Sequence, residues 1–142
     1  MLKFLLAVDG SEHARHAIEA VARLARSSAQ LEVFILNVRT DPDFYSEITP
    51  QTCQELDAVA RAEQARVLKQ AAEQARAAGL NVVATLDPAG VVVVEILRAA
   101  SEGQVDQIVL GTRGMGAVGG LFLGSVAQRV VHQASVPVLL VK

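Results

Sequence analysis

Apolar positions along this chain fall into two alternating patterns. Some stretches are short and apolar almost throughout: Leu2 to Val8 with one lysine, Leu31 to Val38, Asn81 to Leu86, Val105 to Leu110, and Val136 to Val141 with Pro137 near its start. Runs of this kind predict strands buried on both faces. Between them the apolar residues spread to helical spacing. Ala14, Ala17, Ile18, Val21 and Leu24 follow Ser11, which can cap a helix, and Glu12, which suits its positive end. Residues 52–78, rich in Ala, Glu, Gln and Arg, predict a long helix closed by Gly79 in a left-handed cap. Residues 39–51 carry two prolines and predict a loop. Residues 91–100 conflict: VVVV favours a strand, whereas EILRAASEG reads as the end of a helix. Gly90 and Gly103 bracket the segment and another strand follows at once, so a helix is predicted. Ser125 to Ala134 predicts the last helix.

Strands and helices thus alternate five times, without a final helix. That order predicts an α/β fold, a mostly parallel sheet with helices on both faces and right-handed crossovers. A chain of 142 residues is long enough for one core, and no repeat or linker divides it, so residues 1–142 are expected to form a single domain. The formal charge of -2 gives no reason to expect nucleic acid as a partner. One cysteine, Cys53, excludes an internal disulfide and a zinc cluster built on thiolates. The opening MLKFLLAV is too short an apolar stretch for a leader, and no segment reaches the roughly 18–20 apolar residues of a spanning helix. The expectation is a cytoplasmic protein with no membrane association.

The densest signal for chemistry is GTRGMGAVGGLFLGS, residues 111–125, with six glycines. Gly114-Met-Gly116-Ala-Val-Gly119 spells the dinucleotide fingerprint, but no acid follows Asp106 to hold a ribose. Gly119 to Ser125 approaches a P-loop, but the phosphate-binding lysine is missing. A third spacing fits in full. Gly111 and Gly114 are followed after nine residues by Gly124-Ser125. Glycines let backbone N–H groups close on an anion, and a helix opening at Ser125 offers free N–H groups and a positive dipole end. From Gln107 onward the cations Arg113, Arg129 and Lys142 face no acid.

The spacing G-x2-G-x9-G-[ST], with LLAVDGSEHA, LNV, DQIVLGTRG and GSVAQRVVHQASVPVLLVK, closely resembles the universal stress protein family over essentially the whole chain. The resemblance implies a Rossmann-like open five-stranded parallel sheet of order 3-2-1-4-5. It implies ATP as ligand, with Mg²⁺ or Mn²⁺ carried on the phosphates rather than in a dedicated cage. Asp9 would meet the adenosine, Val38 would offer backbone hydrogen bonds or apolar contact to adenine, and Gly111, Gly114, Gly124 and Ser125 would hold the ribose and phosphates. It also implies a homodimer along the last strand, Val136 to Val141, whose edge no helix follows. The implied role is a small stress-response module regulated by nucleotide. The alternatives are an adaptor with a vestigial site and a slow ATPase, for which no catalytic residue stands out.

Blander readings stand beside these. Gly111 and Gly114 could simply make a tight turn, and Asp9 could be a turn residue beside Ser11. Arg113 is open between phosphate contact and solvated surface. Gly116, Gly119 and Gly120 are open between a phosphate lid and a plain loop. Phe44 and Tyr45 could cover adenine, meet a partner or pack on the domain. His13 and His16 read as a solvated helix face, since no third metal ligand accompanies them. His132 reads as packed or surface, and Cys53 as inert.

Overall fold

A computed structural model describes residues 1–27, 30–41, 49–114 and 122–142. The elements are β1 Leu2–Ala7, α1 Glu12–Ala25, β2 Leu31–Leu36, α2 Pro50–Ala77, β3 Asn81–Leu86, α3 Val92–Glu102, β4 Gln107–Gly111, α4 Ser125–Gln133 and β5 Val138–Val141. The five strands form one sheet of order β3-β2-β1-β4-β5, and every pairing is parallel. This is the α/β architecture anticipated above.

The apolar runs have a simple cause. Along β1, Phe4 and Leu6 join a core shared with α1 and α2, while Leu5 joins a second core shared with α3 and α4. Both faces of this central strand therefore meet a helix layer and polar alternation is lost, whereas the edge strand β3 keeps alternate positions exposed. Helix α1 presents Ala14, Ala17, Ile18, Val21 and Ala22 to the first core. Helix α3 presents Val93, Ile96, Ala99 and Ala100 to the second. That stripe overrides the strand propensity of VVVV: Val93 is buried, while Val94 is left 55% exposed.

Boundaries moved for local reasons. Pro50 and Gln51, expected above in the loop, form the first turn of α2; Thr49 caps it, accepting from Thr52 N–H at 3.4 Å. Proline suits that turn because its missing N–H has no partner there anyway. Gly79 takes the left-handed φ of +87° expected of it. The last strand starts at Val138 rather than Val136, and the fourth at Gln107 rather than Val105.

Candidate functional site

The strand order reverses between β1 and β4, whose neighbouring ends are Ala7 and Leu110. Successive connections leave on opposite sides of the sheet there, so a crevice opens beyond the strand ends. It is a cleft of about 710 Å³. Asp9, Val38, Gly111, Arg113, Gly114, Gly124 and Ser125, drawn from separate stretches of sequence, all line it.

On the β1 side the chain turns at Gly10, with φ +81°. Asp9 Oδ1 accepts the N–H of Ser11 at 2.9 Å, and the Ser11 hydroxyl accepts from Ala14 N–H at 3.2 Å, capping α1. Asp9 is thus both a turn residue and part of the cleft wall. On the β4 side, a Cβ at Gly114 would stand 2.6 Å from Asp9 Oδ2. The two loops touch at this point, and a side chain there would push the carboxylate away.

Gly111 answers to a different neighbour. A Cβ there would lie 2.7 Å from His13 Cβ and 2.9 Å from the His13 carbonyl carbon. Its bareness admits the first turn of α1, a packing reason distinct from the anion contact expected of it. His13 is correspondingly not a solvated residue: its Nδ1 lies 3.5 Å from Thr112 Oγ1 and it is only half-exposed. His16 likewise meets the chain end, its Nδ1 3.0 Å from the carbonyl oxygen of Lys142. His132 is exposed at the far end of α4, as a surface reading requires.

Helix α4 starts at the cleft. Gly124 N–H donates to Thr112 carbonyl at 2.7 Å, tying the helix start to the exit of β4. Gly124 is the cap residue and supplies no side chain, so no side-chain bond covers the first turn. Ser125, Val126 and Ala127, which form that turn, all line the cleft. Their N–H groups are the ones an α-helix leaves unpaired, and the dipole end adds a positive potential. Arg113 stands beside them, half-buried. This end of the cleft is built for an anion. Ala7, Leu36, Val38, Val92 and Ile96 add apolar wall to the same cleft. A ligand with a flat apolar part and an anionic part matches such a lining.

Sequence reasoning gives no role to Asn37, Thr40, Val92 or Ile96, which line the same cleft. Asn37 and Thr40 flank Val38 in sequence, a usable signal; Val92 and Ile96 are reached only through the packing of α3. A second hollow of about 560 Å³ shares Asp9, Asn37, Val38 and Thr40 with the first. Its wall carries an ion cluster in which Asp57 accepts from Arg61 Nε at 2.7 Å and Arg39 Nη1 at 3.3 Å. The Arg61 hydrogen bond first, and then the Arg39 charge, hold the Asp57 carboxyl below its ordinary range. Among the described residues no group of three or more His, Cys, Asp or Glu is placed to hold a metal, and no helix is long and apolar enough to cross a membrane. The expectations for Gly116, Gly119 and Gly120, and for Phe44 and Tyr45, lie outside the described residues.

Comparison with known proteins places the chain by family and fold. The chain is 37% identical over 138 residues to a universal stress protein of Thermus aquaticus, covering 97% of this chain and 96% of that one. Its fold is similar to the solved structure of protein MJ0577, with TM-score 0.83, 26% identity, and 99% and 94% of the two chains covered. Two more distant structures share the fold. One is an Arabidopsis thaliana family protein with AMP bound, at TM-score 0.72, 19% identity, and 100% and 92% coverage. The other is an Archaeoglobus fulgidus protein in complex with dAMP, at TM-score 0.68, 23% identity, and 100% and 98% coverage. Residues 1–142 match the universal stress protein family from end to end, and the chain belongs to that family.

Proposed function

We propose that this chain is an ATP-binding member of the family, a small cytoplasmic module whose partner contacts change with nucleotide. The observation that carries the reading is the uncapped first turn of α4, which opens into the same cleft that Asp9 and Val38 line. In this reading the phosphates lie against Ser125, Val126 and Ala127 N–H groups and Arg113. The ribose sits by Asp9 and Gly114, and adenine enters between Val38 and the apolar wall. The AMP and dAMP held by the two relatives support the adenine nucleoside part. The triphosphate rests on the glycine–serine spacing and the donors of α4. A Mg²⁺ or Mn²⁺ would ride on those phosphates. The outer edge of β5, which pairs with no further strand among the described residues, supports a homodimer.

Calorimetric titration of ATP with Mg²⁺ tests the reading directly. Micromolar binding is expected for the wild type and is lost in Gly114→Val, whose side chain would displace Asp9. A wild type that binds no ATP would overturn it.

A further inference from the structure

The exit of β2 contains two departures from regular pairing, and a side-chain amide enters each. In a parallel ladder a residue donates its N–H to one partner and accepts, through its C=O, from the residue two further along the neighbouring strand. Toward β3, Asn37 N–H donates to Leu86 carbonyl at 3.1 Å. The next donor to Asn37 carbonyl should be residue 88. It is Pro88, which has no N–H. Gln64 fills the gap from α2: its Nε2 donates to Asn37 carbonyl at 2.8 Å and to Pro88 carbonyl at 3.1 Å. Gln64 is 6% exposed, in a helix whose other glutamines lie outside the core. Beyond Pro88 the ladder resumes, with Arg39 N–H to Pro88 carbonyl at 2.9 Å and Gly90 N–H to Arg39 carbonyl at 2.8 Å.

The second departure faces β1 and the cleft. Val8 N–H donates to Leu36 carbonyl at 2.8 Å, so the next bond of that ladder should run from Val38 N–H to Val8 carbonyl. That acceptor is instead occupied by Asn37 Nδ2 at 2.7 Å. Among the described residues neither the N–H nor the C=O of Val38 then has a hydrogen-bond partner. Both point to the side from which β1 has turned away at Asp9, and Val38 lines the cleft there.

We infer that Asn37 is a positioning residue that sets base selectivity. By occupying Val8 carbonyl in place of Val38 N–H, it keeps that donor available to a ligand, beside the Val38 carbonyl that the turn of β1 at Asp9 and Gly10 already leaves open. Adjacent donor and acceptor groups match the edge of adenine, which offers a ring-nitrogen acceptor beside an amino donor. Hypoxanthine offers the reverse, N–H beside carbonyl, so in the same orientation it sets donor against donor and acceptor against acceptor and is disfavoured. Gln64 supports this by holding Asn37 through its carbonyl. The ligand half of the inference rests on the nucleotide reading of the cleft; the backbone half does not.

The test has two arms. In ligand-free protein, amide exchange at Val38 is expected to be fast in the wild type. In Asn37→Leu, which keeps the shape and removes the donor, Val38 N–H returns to Val8 carbonyl and exchange slows tenfold or more. In calorimetry with ATP and with inosine triphosphate, Asn37→Leu is expected to bind ATP about tenfold more weakly, the worth of about one hydrogen bond. Its preference for ATP over inosine triphosphate collapses. Asn37→His, whose Nδ1–H reaches as far as the asparagine Nδ2, restores both. A Val38 amide already protected in the wild type would overturn the inference even if Asn37→Leu failed to fold. So would unchanged exchange in Asn37→Leu, or a retained preference for ATP. If the wild type binds neither nucleotide, the nucleotide reading fails while the exchange arm still decides the role of Asn37 in the backbone.

Discussion

Two glycines of one motif separate cleanly by what a methyl group would strike. At Gly114 it would meet the far end of an exposed side chain, Asp9 Oδ2. At Gly111 it would meet His13 Cβ and backbone, which cannot swing aside. Gly111→Ala is therefore expected to cost about 1–3 kcal/mol, as over-packing does, read as a lower urea midpoint. Gly114→Ala should stay within about 0.5 kcal/mol of wild type, as surface changes do, yet weaken ATP binding tenfold or more by moving Asp9. Equal destabilisation of the two would show that the Asp9 contact is structural. The importance of both positions is legible from spacing. The reasons are not, because their neighbours come from the far end of the chain: Thr112, next to Gly111, meets His13 across a separation of 99 residues. The same distance hides His13 itself, whose helix face looks solvated until β4 is packed against it.

At the scale of elements, α2 is the one whose role is least visible in sequence. Its extent is readable to within two residues at its start, but its contacts are not. It carries five glutamines, and no local feature marks Gln64 as the buried one. Pro88 reads in sequence only as a strand breaker, although its missing N–H is what gives Gln64 a carbonyl to satisfy. Gln64→Leu leaves Asn37 carbonyl without that donor and is expected to cost about 1–3 kcal/mol by urea unfolding. A loss below that range would mean water replaces the amide. The same helix reaches Arg39, beyond the end of β2, through Asp57, where acidity should loosen the contact. The folded carboxyl titrates below its ordinary value, so the unfolded state binds the proton first as pH falls. The contribution is complete above the unfolded value, about pH 4, and is lost as pH drops through the lower folded one. Stability measured against pH should therefore fall less steeply in that acid window for Asp57→Asn than for the wild type. Parallel profiles would assign the acid sensitivity elsewhere. By contrast α3 is readable despite VVVV, because the glycines bracketing it and the strand after it outweigh propensity.

For the whole molecule, the alternation of apolar runs and helices already implies parallel strands covered on both faces, and the family resemblance supplies their order. What no pattern within one chain reveals is how the two sheet edges end. On β5 the ladder uses Leu139 and Val141 toward β4: Ile108 N–H donates to Pro137 carbonyl and Thr112 N–H to Val141 carbonyl, in a register pairing Val109 with Leu139. Residues 137, 139 and 141 thus serve the sheet, while Val138 and Leu140 direct their N–H and C=O groups outward. An apolar edge of this kind pairs readily with a second copy, and two-fold symmetry lets each strand serve the other. Leu140→Pro removes one outward N–H and leaves every bond to β4 possible, whereas Leu140→Ala shortens the side chain and keeps the N–H. Sedimentation at micromolar concentration should show a dimer for the wild type and for Leu140→Ala, and a monomer for Leu140→Pro. A dimer that survives Leu140→Pro would move the interface to another face, because strand pairing at this edge needs that donor. A wild type that sediments as a monomer would remove the dimer from the functional reading and leave the proposed nucleotide reading of the cleft, whose described lining comes from one chain, standing alone.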